Sequence, residues 1–242
     1  MRAFRHNGGM RLSGLLPGFV AAALLVACGG DADDETPTPA PETAEQLLAR
    51  SVTAVEGLHS FHFRLTHENG STPLPLSLGL ETAEGDVAIP GRLSAAVEAE
   101  HSTGIPVSVD LIAIDDETWI TNPFNRQWQR LPGAGVRDFA DPEALVRTLV
   151  AAVETPRLDG GATIDGVQTV KVTGIADAGA LREALGIARA GNEVQVEAWI
   201  GAVDALPRRV RIIGPLSSVE EPDVTRQIDI SRFNEPVEIN PP

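Results

Sequence analysis

The chain has 242 residues, 43% hydrophobic and 22% charged, with a formal net charge of −15 at pH 7 and one cysteine. That balance excludes a nucleic-acid binder working by phosphate neutralisation, and it excludes a disulfide-stapled scaffold. The length suffices for one large all-β or α+β domain.

The first segment reads as an export signal. Arg2, Arg5, His6 and Arg11 form a basic region, and Leu12 to Ala27 form an apolar stretch too short and too early for a membrane span. A start at Met10 would leave a more compact signal of the same kind. The run Leu24-Leu25-Val26-Ala27-Cys28-Gly29-Gly30 has the form of a bacterial lipobox. In that chemistry the thiol takes a diacylglycerol thioether and the chain is cut before the cysteine. The expectation is a signal peptide over 1–27, with Cys28 as lipid anchor on the outer face of the cell membrane. Three of the 19 basic residues and no acidic residue lie in 1–27, so the remainder carries −18. Such a surface repels anionic headgroups, which leaves attachment to the lipid. Residues 28–41 read as a lipidated acidic and Pro-rich tether, with Asp31, Asp33, Asp34 and Glu35 followed by Thr36-Pro37-Thr38-Pro39-Ala40-Pro41. As polyproline II it would reach roughly 40 Å.

Residues 42–242 read as the globular domain. Thr43 and Gln46 form a capping-box pattern ahead of Leu47, Leu48, Val52 and Val55, and Gly57 stands at the C-cap. Alternating strands follow at Phe61-Phe63-Leu65, Leu76-Leu78-Leu80, Leu93-Ala95-Val97-Ala99 and Val107-Val109-Leu111-Ala113. Two short strands around Trp119 and Trp128 flank the turn Asn122-Pro123-Phe124-Asn125. A second helix is expected over 142–155, with Asp141 as N-cap, Leu145, Val146, Leu149, Val150 and Val153 as its stripe, and Pro156 beyond its end. Strands near 161–165 and 167–175 meet at Asp165-Gly166, and a weaker helix runs from Asp177 to Gly191. Strands at 194–200, 206–213 and 224–231 close the chain. The pattern is α+β: one large twisted antiparallel sheet whose spare apolar face is covered by two or three helices. Ala95, Val97 and Ala99 are small for an inward face. They leave either room behind a curved sheet or space for bulky helix side chains.

Catalytic patterns are missing. Lys171, the one lysine, sits in Val170-Lys171-Val172, which removes P-loop and Ser-x-x-Lys chemistry. His67-Glu68 begins like a zincin helix, but position 71 is Ser71. His59 and His62 fall on opposite strand faces and do not converge on a metal. No metal, cofactor or catalytic residue is therefore expected.

A set of segments runs in order along the domain: Val55-Glu56-Gly57-Leu58-His59-Ser60-Phe61-His62-Phe63, Glu84-Gly85-Asp86-Val87 with Pro90 and Leu93, and Trp119-Ile120-Thr121-Asn122-Pro123 with Trp128. It continues through Ile164-Asp165-Gly166-Val167, Trp199-Ile200-Gly201 with Asp204, Leu206-Pro207-Arg208-Arg209-Val210 and Ser231-Arg232-Phe233-Asn234. On these segments the chain resembles the LppX/LprA/LprF/LprG family of bacterial lipoproteins, related to LolA- and LolB-like carriers. The resemblance implies a half-barrel whose concave face, covered by helices, encloses an apolar cavity for an acylated lipid or glycolipid. It also implies a non-enzymatic role in moving that lipid through the envelope, with an envelope transporter as a further partner. On this reading Phe61, Phe63, Leu65, Val97 and Ala99 line the concave face, and Leu145 and Leu149 sit on a helix lid. The alternative of a different class is a structural lipoprotein with a filled core that binds another envelope protein.

Overall fold

The computed structural model describes residues 42–133, 135–136, 147–148, 152–181 and 192–242. It opens with α1 (Ala44–Glu56), held by the expected capping box: Gln46 N donates to Thr43 Oγ1 at 3.3 Å and Thr43 N to Gln46 Oε1 at 2.8 Å. Gly57 is its C-cap, as expected, at φ −87° rather than in the left-handed region.

Twelve strands follow in one antiparallel sheet: β1 (Ser60–Glu68), β2 (Thr72–Leu74), β3 (Leu78–Ala88), β4 (Arg92–His101), β5 (Ile105–Ile114), β6 (Glu117–Thr121), β7 (Trp128–Leu131), β8 (Glu154–Ile164), β9 (Val167–Asp177), β10 (Glu193–Gly201), β11 (Pro207–Ile213) and β12 (Thr225–Ser231). The spatial order is β7-β6-β5-β4-β3-β1-β12-β11-β10-β9-β8, with β2 beside β3. The first strand is therefore central, joined on one side to β3 and on the other to the last strand. Edge strands β7 and β8 are not paired with each other, so the sheet is open.

Three expectations are corrected. Leu76 does not lie in a strand; Pro75–Ser77 form a 3-10 turn, and Leu76 is 84% exposed at φ 63°. The helix over 142–155 cannot run its full length, because Glu154 already begins β8. Pro156 disfavours α conformation in Thr155 before it, and it falls where the β8–β9 register shifts, the place an edge strand tolerates proline. Of the weaker helix over 177–191, Ala178–Leu181 form a 3-10 turn. Its remaining residues 182–191 lie outside the described residues, as do Asp141, Leu145, Val146, Leu149 and Val150 of the second helix. One α-helix of any length thus stands among the described residues, where two or three were expected.

β3 is a strand the pattern did not disclose between 81 and 88. Its middle, Thr82-Ala83-Glu84-Gly85-Asp86, has poor β-propensity. Register explains it: Gly85 faces Phe63 on one side and Ala95 on the other, and a Cβ there would lie 2.0 Å from the Ser94 carbonyl oxygen. Only glycine lets β3 and β4 approach. The Asp165-Gly166 turn between β8 and β9 has both residues at positive φ, as a tight two-residue hairpin demands.

Candidate functional site

The registers divide the sheet into two faces. On the outer face charges pair across neighbouring strands. Lys171 Nζ lies 2.5 Å from Asp159 and 3.8 Å from Glu197, Arg211 reaches Glu197 and Glu68, and Arg209 bonds Asp229 at 2.6 Å. His62 lies 2.9 Å from Asp86 on this face, and Arg232 reaches the same carboxylate. Exposed pairs of this kind contribute little each; together they make the face unfit for apolar contact.

The inner face is apolar and carries three packed clusters. Val55 and Leu58, at the end of α1, pack with Phe61, Val87, Leu93, Leu111, Ala113 and Ile230, and Phe63 borders them. Ala44, Leu47 and Leu48 of α1 pack with Val172, Ile200 and Ala205. Beyond the helix on β9–β11, Ala176, Val194, Val196, Val210 and Ile212 pack with Ala152, Leu181 and Leu216. The end of the sheet under α1 is sealed further by the C-terminal segment. Asn234 N donates to Ser60 O at 2.9 Å, Arg92 Nη1 to Ile239 O at 2.5 Å, and Ile239 is buried.

Among the described residues, one quarter of the inner face belongs to none of these clusters. Leu65 of β1, Ala83 of β3, Val97 and Ala99 of β4, and Val107 and Val109 of β5 are all inward by register. Leu65, Val97, Val107 and Val109 are only half-buried, whereas Ala83 and Ala99 are buried at 8% and 6% exposure. The structure thus separates the residues expected to line the concave face. Phe61 and Phe63 stand in or against the cluster below α1, while Leu65, Val97 and Ala99 stand together beyond it. Leu145 and Leu149 lie outside the described residues, as does Cys28.

A polar cluster borders this quarter. In β12 the inner positions read Arg226, Ile228, Ile230, which puts an arginine between Ile212 of β11 and His67 of β1. Arg226 is 3% exposed and ion-paired with Glu220, whose side chain is 1% exposed. Arg226 Nε donates to Thr72 Oγ1 at 2.8 Å, and His67 Nε2 lies 2.8 Å from the same hydroxyl. His67 Nδ1 sits 2.9 Å from the Glu81 carbonyl oxygen, which can only accept, so Nδ1 carries the proton and Nε2 accepts from Thr72. Glu220 Oε2 also accepts from Leu216 N at 2.6 Å and Ser217 N at 3.2 Å. Burial pulls the His67 pKa below its ordinary value, and the Arg226 charge adds to this; the Glu81 bond and Glu220 oppose it. Arg226 Nη1 has no hydrogen-bond partner among the described residues. The sequence reading missed this network. Its signal was the phase of β12, where an arginine occupies an apolar position.

The model of the LppX_LprAFG lipoprotein family matches residues 43–239. The chain belongs to this family. Among its relatives is LprF of Mycobacterium tuberculosis, 26% identical over 198 residues, covering 77% of this chain and 74% of that protein; its name gives it as a candidate diacylated glycolipid transporter. LprF of Mycobacterium bovis matches to the same extent. The crystal structure of that LprF superposes with a TM-score of 0.62 at 24% identity, over 82% of this chain and 96% of the other. The crystal structure of Mycobacterium tuberculosis LppX does so with a TM-score of 0.56 at 22% identity, over 80% and 98%. At those identities the superpositions establish the shared fold of the family.

Proposed function

We propose that this chain is a membrane-anchored, non-enzymatic envelope lipoprotein that holds the acyl chains of a lipid or glycolipid against its inner sheet face and carries or chaperones that lipid across the envelope. The observation that carries this reading is the unclustered quarter around Leu65, Val97, Val107 and Val109, an apolar strand surface left half-buried inside a fold whose outer face carries the ion pairs of β1, β3 and β8–β12. Curvature supports it. A helix of 13 residues is about 20 Å long, whereas β9 and β4 would stand about 29 Å apart in a flat sheet. One helix whose two ends join clusters seated on those strands fits a sheet curled into a half-barrel.

The energetics fit the task. Each methylene moved from bilayer to water costs about 0.8 kcal/mol, so an acyl chain of about 16 carbons costs on the order of 12 kcal/mol. A carrier works when its interior is nearly as apolar as the membrane, making transfer almost neutral. The name of LprF points to a diacylated glycolipid as the cargo class. In this reading residues 1–27 are a signal peptide, Cys28 carries the anchor, residues 28–41 are the tether, and Leu145 and Leu149 face the cavity from a lid.

The burial of Ala83 and Ala99 favours the second reading, a filled core in a lipoprotein that binds another envelope protein. Ala99→Trp separates the two. With a cavity beside it, the indole enters that space: folding holds and uptake of a fluorescent acyl lipid falls. In a filled core the exchange overpacks and costs about 1–3 kcal/mol. An Ala99→Trp variant that unfolds readily, from a parent that never takes up lipid, refutes the carrier reading. Cys28→Ser should abolish incorporation of labelled fatty acid; labelling that persists refutes the anchor.

A further inference from the structure

The two ends of the sheet differ in chemistry. At the end under α1 the described connections carry Asp115, Asp116, Asp165, Asp204, Arg232 and Glu235. Ile89 (37% exposed) and Val203 (91%) stand among those charges, and at the opposite end four described connections each carry an exposed large apolar side chain. Leu76 (84% exposed) lies between β2 and β3, Ile105 (59%) beside the β4–β5 turn, Phe124 (93%) between β6 and β7, and Val219 (77%) between β11 and β12. Residues 69–77 and 102–109, which hold the first two, contain no Asp, Glu, Lys or Arg, although 22% of the whole chain is charged; the other two connections also carry Arg126, paired with Asp110, Glu220, paired with Arg226, and the exposed Glu221 and Asp223. Leu76 and Ile105 are held together, since Ser102 N donates to Ser77 O at 2.9 Å. This end is continuous with the unclustered apolar quarter, as Ile105 and Val107 lie on one strand face.

We propose that these four loops form a rim that docks on an uncharged or zwitterionic bilayer surface and opens the inner face toward the membrane. The inference rests on the lipid-carrier reading. Two observations select a bilayer as the occupant. The loop tips that carry Leu76, Ile105 and Phe124 hold no charge on a chain that is otherwise strongly acidic, so they meet a lipid surface at little electrostatic cost, while Glu221 and Asp223 stand exposed on the flank of the Val219 loop. The length of chain ahead of the domain suits this orientation. β3, the full height of the sheet at 11 residues, is about 37 Å. Residues 28–41, extended at about 3.1 Å each, measure about 43 Å. A chain anchored at Cys28 and entering the domain beside α1 therefore has enough length to turn the far end onto the same membrane. Apolar side chains on such a rim enter about 5–10 Å, to the headgroup–acyl boundary.

The test uses the full lipidated chain reconstituted into phosphatidylcholine vesicles with or without brominated acyl chains, attachment being checked by flotation. Phe124→Trp and Val203→Trp place a reporter at opposite ends of the sheet. Both native positions are more than 90% exposed, so neither exchange disturbs packing (93% and 91%). Signals are read as differences from the parent, which has three tryptophans. The proposal predicts blue-shifted emission and about twofold quenching by brominated lipid for Phe124→Trp, at the insertion depth above, and no quenching for Val203→Trp. Quenching of Phe124→Trp no greater than that of Val203→Trp overturns it, assigns the rim to a protein partner, and leaves the carrier reading intact if the chain purified before reconstitution retains noncovalent lipid. Failure to float also overturns it. Purified chain that holds no noncovalent lipid before reconstitution overturns the carrier reading, whatever the quenching.

Discussion

Glu220→Ala is the most demanding perturbation of the network beside the apolar quarter. The carboxylate is 1% exposed and its partner Arg226 4% by side chain, so the exchange strands a guanidinium in the interior. Among the described residues that cation already lacks a partner for Nη1, and Leu216 N and Ser217 N would lose their acceptor as well. Removing one member of a buried pair costs about 3–5 kcal/mol, against about 0–1 kcal/mol for an exposed pair. For a domain of this size that corresponds to a fall of roughly 10 °C in Tm. Asp110→Ala, which removes the partner of exposed Arg126, is the control and should move Tm by a degree or two at most. Thermal denaturation followed by circular dichroism reads both. The joint exchange Glu220→Gln with Arg226→Met, which removes both charges while keeping an acceptor near the two amides, should recover most of the loss. The reasoning is wrong if Glu220→Ala costs no more than Asp110→Ala, or if the joint exchange is worse than the single one.

Other perturbations probe different levels of the structure. Gly85→Ala sets a methyl 2.0 Å from the Ser94 carbonyl oxygen, backbone that cannot turn aside, and should lower the denaturation midpoint by about 1–3 kcal/mol or more; an unchanged midpoint contradicts the β3–β4 approach. His67 has a folded-state pKa below its unfolded value, so the folded state binds fewer protons. Its contribution to stability is therefore present above the unfolded value and is lost as pH falls through that value toward the folded one. His67→Gln, which can still donate to Glu81 and accept from Thr72, should flatten the decline in stability as pH falls below the ordinary histidine value; an unaltered slope places the titrating group elsewhere.

What the sequence made legible was what local chemistry decides. The Thr43–Gln46 box placed α1, Asp165-Gly166 placed a hairpin, and clean alternation placed β1, β4 and β5. What it concealed depends on neighbours distant in the chain. Thr82 to Asp86 is poor strand sequence and becomes a strand because Gly85 admits β4 against β3. Leu76, in phase with Leu78 and Leu80, leaves the strand because prolines at 73 and 75 bracket the approach to it and turn the chain. Thr72, Arg226 and Glu220 meet only through the return of β12 to β1, a pairing that no periodicity announces. Of the lining residues, Leu65, Val97 and Ala99 were placed on one face by alternation alone, while the boundary between them and Phe61 depends on where α1 ends.

The central claim is that the inner face holds acyl chains, and native mass spectrometry of the full-length chain extracted gently from its own membranes tests it most directly. The account predicts a second, noncovalent mass beyond the anchor, released on activation and identified by fragmentation as an acylated lipid or glycolipid. Only the covalently anchored mass, with no dissociable lipid under conditions that keep the chain folded, would contradict it.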